Sequence, residues 1–110
     1  MGKSIKITYK GETYTLGYTR AIIGYMEDEY GFDPTKLERM PQKQIPVLVR
    51  GAFMLNHGDV PVETVDEIYD SLVDKLPFIG KLSEMCAETY KSLFADPETN
   101  EGNAIWEATF

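Results

Sequence analysis

One cysteine, Cys86, and one histidine, His57, stand among 110 residues. A lone cysteine cannot close an internal disulfide, so the core must hold the fold, and this usage fits a reducing compartment. A lone histidine excludes every metal site that needs two imidazoles. A Cys–His nucleophile pair has its two members, but no orienting third group stands near either. There is no nucleophile elbow, phosphate-cradling glycine loop or dinucleotide fingerprint. No apolar run reaches the about 20 residues of a membrane span, and there are no internal repeats. The first residues alternate apolar and polar around Lys3 and Lys6 and do not read as a signal peptide.

Positive charge is scarce in one half. Residues 51–110 hold three Lys/Arg against twelve Asp/Glu, whereas residues 1–50 hold eight against six, for a net charge of -7. Such an acidic half repels phosphate backbones, so a nucleic-acid partner is not expected. It reads first as a solvated face that keeps the chain soluble, and secondly as a docking surface for a basic partner.

The centre of the chain is the run Ile45 to His57, apolar on nearly every helical face, with Arg50 its only full charge. A helix hydrophobic all round belongs inside a protein. Gly51 and Ala52 give it a face that another element can approach closely. Pro46 suits a first turn, and Gly58 suits a left-handed stop. Helix 44–57 is therefore expected at the core.

Around it the pattern predicts an α+β domain spanning 1–110, with an N-terminal hairpin over about 4–17 packed on four to five helices. Ile5, Ile7 and Tyr9 alternate with polar residues, as do Tyr14 and Leu16. A two-residue Lys10-Gly11 turn sets Ile7 opposite Tyr14 and Ile5 opposite Leu16, so the apolar faces coincide. Thr19 caps a helix over 20–30 whose inward face is Ile22, Ile23, Met26 and Tyr30, closed by Gly31 and Phe32. Asp33-Pro34 opens a short helix over 34–40. Helix 62–76 buries Val62, Val65, Ile68, Tyr69, Leu72 and Leu76, with Glu63, Asp66, Glu67, Asp70 and Asp74 outside. Pro77 breaks it, and helix 78–95 buries Ile79, Leu82, Met85, Cys86 and Leu93. The segment 96–110 changes period: Ala104, Trp106, Ala108 and Phe110 alternate with Ile105, Glu107 and Thr109. It reads either as a third strand on the hairpin, with Trp106 closing the core, or as a mobile tail that orders on a partner.

Chemistry is sparse. His57 at a helix end reads as capping or packing, and Cys86 as a small hydrophobe. Counting from Asp96, Glu98, Asn100 and Glu107 fall at calcium-loop positions, but Gly102 comes one position late and no helix-length sequence follows. No metal, cofactor or catalytic residue is expected, and the chain is not expected to be an enzyme. The candidate partner-binding residues are Asp66 and Asp70, as steering charges, with Trp106 and Phe110.

Taken together, Tyr-Lys-Gly-Glu-Thr-Tyr-Thr-Leu (9–16), the Thr-Arg helix start, the apolar Pro-containing helix with Gly51-Ala52-Phe53 and His57, Asp66-Glu67-Ile68-Tyr69 and Gly102-Asn103-Ala-Ile-Trp106-Glu107 resemble a family. It is that of the tail-assembly chaperones of long-tailed bacteriophages (siphophages) of Gram-positive hosts. The resemblance runs from about residue 5 onward and rests on structural motifs. It implies a non-catalytic protein of the infected host's cytoplasm, absent from the mature virion. Such a protein binds the helical tape-measure protein and helps recruit tail tube subunits. Ribosomal frameshifting often gives these families a second, longer form. Homo-oligomerisation stays open. The alternatives are a small acidic adaptor or inhibitor docking on a basic partner and, from another class, a small hydrolase, for which no ionisable pair is evident.

Overall fold

The computed structural model describes residues 3–96 and 104–110. Two strands, β1 (Ile5–Tyr9) and β2 (Glu12–Leu16), precede helix α1 (Arg20–Tyr30) and a 3₁₀ turn (Pro34–Lys36). Three helices follow, α2 (Pro41–His57), α3 (Val62–Ser71) and α4 (Lys75–Lys91). The architecture is α+β, an antiparallel hairpin followed by four helices. The stretch 98–103, expected as a linker or turn, lies outside the described residues, and with it Glu98, Asn100 and Gly102 of the calcium-like spacing.

The hairpin has the expected register, with Ile5 opposite Leu16, Ile7 opposite Tyr14 and Tyr9 opposite Glu12. Lys10 (φ 50°) and Gly11 (φ 81°) both take positive φ, as a type I′ turn demands, and the turn needs no bulge. Ile7 and Leu16 are buried, and the ribbon lies on α2. The outer edge of β2 is closed by that helix. The Gly17 N–H donates to the Ala52 carbonyl (3.1 Å), and the Thr15 N–H to His57 Nε2 (2.9 Å). Asn56 Nδ2 returns a bond to the Thr15 carbonyl (3.1 Å), and the Tyr18 hydroxyl donates to the Leu48 carbonyl (2.7 Å). An edge strand that would otherwise bare its backbone is thus satisfied by a helix.

Helix α1 begins where Thr19 Oγ1 accepts the Ile22 N–H, and stops at left-handed Gly31 (φ 63°) with Phe32 folded into the core. Helix α2 packs against β2, α1, the 3₁₀ turn, α3 and α4. Val47, Leu48, Val49, Gly51, Ala52 and Phe53 are all buried in it. Met26 of α1 lies against Gly51, where an added Cβ would come within 2.3 Å of its sulfur. Gln44, the one buried polar residue among those described, accepts the Asp33 N–H (3.0 Å) and fixes the 3₁₀ turn to the helix.

Helix boundaries depart from expectation at the prolines. The helix expected over 34–40 is one 3₁₀ turn, because Met40 precedes Pro41 and is held out of the helical region (φ -131°, ψ 59°). Pro41 then opens α2, which starts three residues before the expected Gln44 and leaves Pro46 in its interior. Gly58 is right-handed (φ -64°) and does not supply a left-handed stop. Helix α3 ends at Ser71 instead of 76, since Leu72 is extended (ψ 142°). Lys75 Nζ reaches back to the Asp70 and Leu72 carbonyls (3.0 and 2.7 Å), caring for acceptors at that helix end. Pro77 breaks nothing, because it sits in the first turn of α4, where its missing N–H has no intrahelical partner. That helix covers 75–91, shifted from the expected 78–95. Tyr30, Val62, Leu76 and Leu93, expected inside, are exposed. Residues 104–110 form no strand, the sheet has two strands among the described residues, and Trp106 (84% exposed) does not close the core.

Truncating Phe53, 2% exposed at the centre of α2, is expected to cost about 3–5 kcal/mol. Overfilling the Met26 contact with Gly51→Val should cost about 1–3 kcal/mol. Urea melts check both, and a loss below about 1 kcal/mol for Phe53→Ala contradicts a core built on α2.

Candidate functional site

Two stripes of α2 spaced by four residues face α3: Pro41, Ile45 and Val49, beside Gln42, Pro46 and Arg50. With Asp66, Tyr69 and Asp70 they enclose a groove of about 340 Å³. Residues four apart share a helix face, which is why one wall carries both stripes. Ile45, Pro46, Val49 and Tyr69 give the groove its apolar half, and Gln42, Arg50, Asp66 and Asp70 its polar half. Pro46 has no N–H, so the Gln42 carbonyl on this wall lacks its helical donor and is left as an open acceptor.

The polar end of the groove is an ion pair. Arg50 grips Asp66 in bidentate fashion, Nε to Oδ1 at 3.1 Å and Nη2 to Oδ2 at 2.7 Å. The carboxylate raises the guanidinium's already high pKa. The two side chains are 36% and 43% exposed, so water screens the pair, and it is worth about 0.5–1 kcal/mol. Beyond it, Glu63, Asp66, Glu67, Asp70 and Ser71 line a shallower depression along α3. Glu67 is engaged from the hairpin, where the Tyr9 hydroxyl and Lys10 Nζ both donate to it and hold its carboxyl below the usual range. The carboxylates of Glu63 and Asp70 have no ion pair among the described residues. At Tyr69, burial first and the Asp70 charge second push the phenol above its ordinary value.

Of the residues singled out from sequence, Asp66 and Asp70 both line this groove, but in different roles. Asp66 is the ion-pair partner of Arg50, so reversing its charge would set two cations together across the α2–α3 contact, whereas the Asp70 carboxylate has no ion pair among the described residues. Trp106 and Phe110 are not among the groove walls, and each is exposed. Arg50 was legible only as the lone charge of an apolar run, Pro46 only as a first-turn proline, and Ile45 and Tyr69 only as core positions. Their shared face needs the α2–α3 packing, which no local pattern encodes.

The remaining reactive side chains are occupied structurally. His57 Nε2 accepts the Thr15 N–H, and its ring packs edge-on to Tyr14 (5.1 Å between centroids). Cys86 is buried, and desolvation, then the charge of Glu27, raises its thiol to about 11. No group of three His, Cys, Asp or Glu converges among the described residues in a way that could hold a metal ion. No helix among them is long and apolar enough to cross a membrane.

Fold and groove define a small α+β domain, a hairpin on helices with an acid-rimmed, partly apolar cleft. Its family is known by sequence: across residues 1–110 the chain matches the family described as "Domain of unknown function (DUF5055)", and it belongs to that family. No curated protein and no solved structure matches it.

Asp66→Asn should lower stability by about 0.5–1 kcal/mol in denaturant melts, because it removes the anion of the Arg50 clasp. Asp70→Asn should stay within about 0.5 kcal/mol of the parent. Equal losses at the two positions would contradict the division of roles.

Proposed function

We propose that the chain is a non-catalytic tail-assembly chaperone, and that it takes an amphipathic helix of the phage tape-measure protein into the α2–α3 groove. The observation that carries this reading is the pairing of a partly apolar cleft with an acidic rim whose Glu63 and Asp70 have no ion-pair partner among the described residues. A helix laid in such a cleft buries its apolar face between Ile45, Val49 and Tyr69 and points basic side chains at α3. The rim charges speed encounter and set orientation, while the apolar walls set residence time. The sequence resemblance supplies the name of the partner, and the geometry supplies the kind of surface it would need. On this reading the protein acts in the cytoplasm of the infected host, helps bring tail tube subunits to the tape measure and is left out of the virion.

A second reading uses the same acids differently. The α3 face extends past the groove to Glu63 and Glu67, as an adaptor or inhibitor docking on one folded basic partner would require.

Stopped-flow and titration experiments with tape-measure fragments separate the two. Reversal of Glu63 and Asp70 to Lys should slow association and flatten its salt dependence with the melt unchanged. Tyr69→Ala should raise the dissociation rate about tenfold or more. If only the charge reversals matter, the flat docking reading holds. If the parent protein binds no tape-measure fragment, the chaperone reading fails.

A further inference from the structure

The hairpin has two outer edges, and only one is used. Thr15 turns its N–H and C=O away from β1 and towards His57 and Asn56, so Lys6 and Thr15 form a non-hydrogen-bonded pair. By the same alternation, Lys6 and Thr8 aim their backbone groups at the far side of β1. Among the described residues nothing pairs with that edge. Elsewhere in the chain, residues 104–110 carry strand alternation and touch no core: Ile105 is 96% and Trp106 84% exposed, and Phe110 is fully so. Large apolar side chains grouped in water mark an interaction surface. The molecule is drawn out to 56 × 30 × 25 Å with a radius of gyration of 16.2 Å, against about 13 Å for a compact chain of this length.

We infer that residues 104–110 of one copy add as an antiparallel strand to the open β1 edge of a second copy, reciprocally, to give a strand-exchanged dimer. Charge and size fix the register. Placing Glu107 opposite Lys6 sets Trp106 opposite Ile7, Ala108 opposite Ile5 and Ala104 opposite Tyr9. The apolar side of the segment then continues the hairpin's inner face, with a small residue against each large neighbour but one. The outer side pairs Glu107 with Lys6, which has no ion pair among the described residues, and Ile105 with Thr8. A second copy is the fitting occupant because each chain carries one open edge and one such segment, so a two-fold exchange satisfies both and closes. Trp106 is the large side chain that each junction covers, at about 150–250 Å², while Phe110 falls opposite Lys3, just beyond β1.

Sedimentation of the full chain, from micromolar to submillimolar concentration, should give a dimer that becomes a monomer on deletion of 104–110. Glu107→Lys and Lys6→Glu each place like charges across both junctions and should weaken the dimer about tenfold or more. Mixing the two variants restores an opposite pair at both junctions, so a mixed dimer should reform where neither variant dimerises alone. Both positions are exposed, so neither variant threatens the fold. A parent protein monomeric throughout, a dimer that survives the deletion, or a mixture no tighter than its components would each overturn the inference. A monomer with Trp106 fluorescence shifted to that of a buried indole would instead place the strand on its own sheet, and would overturn it too.

Discussion

Everything in this fold answers one constraint: α2 is apolar around most of its circumference and has to be covered on most sides, the groove face staying partly open. A single partner helix covers one stripe, so the chain surrounds α2 with the hairpin, α1, α3 and α4 in turn. The covering is tight where it can be. Gly51 admits Met26 to the helix backbone, and Leu48 and Ala52 lend their carbonyls to Tyr18 and Gly17 as second acceptors. A carbonyl has two lone pairs, so these bonds do not displace the helix's own. The polar stitching also satisfies the outer edge of β2, so one helix both forms the core and removes an aggregation hazard.

The same arrangement sorts the charges. Hairpin, 3₁₀ turn and α2 carry more basic than acidic residues, whereas α3 carries four acids and no base. The contacts between the halves are accordingly ionic at the surface: Lys3 to Glu84 and Glu88, Lys10 to Glu67 and Arg50 to Asp66. Each is exposed enough to contribute little to stability. Their effect on the surface is larger, because they consume some acids and leave others. What remains on α3 is the rim of the groove.

How much of this was legible in the sequence depends on whether the signal was local. The hairpin register was readable because a period of two and a fixed turn leave one solution, and all its pairs follow from Lys10-Gly11. Thr19 and Gly31 marked α1 correctly because capping chemistry is local. Prolines misled, because the same residue that ends one helix opens the next: Pro41 and Pro77 each sit in a first turn. The α3–α4 break was hidden because Leu76 kept helical phase with Leu72 across it, although Leu76 is 86% exposed. The groove was the least legible feature. Asp66 and Asp70 were found as acids on one face, but that Arg50 would claim the first and leave the second is a fact of how α2 and α3 cross. Gln44 gave no signal at all, since a glutamine in a helix is usually a surface residue.

The most direct test of α2 as the organising element is native-state hydrogen exchange, resolved by residue. If the core is built on it, the amides of Val47 to Phe53 exchange last, at rates set by global unfolding, while the turn of the hairpin and the ends of α3 and α4 open through cheaper local fluctuations. Exchange of those α2 amides before the amides of α1 or α4 would place the stable core elsewhere and contradict this architecture.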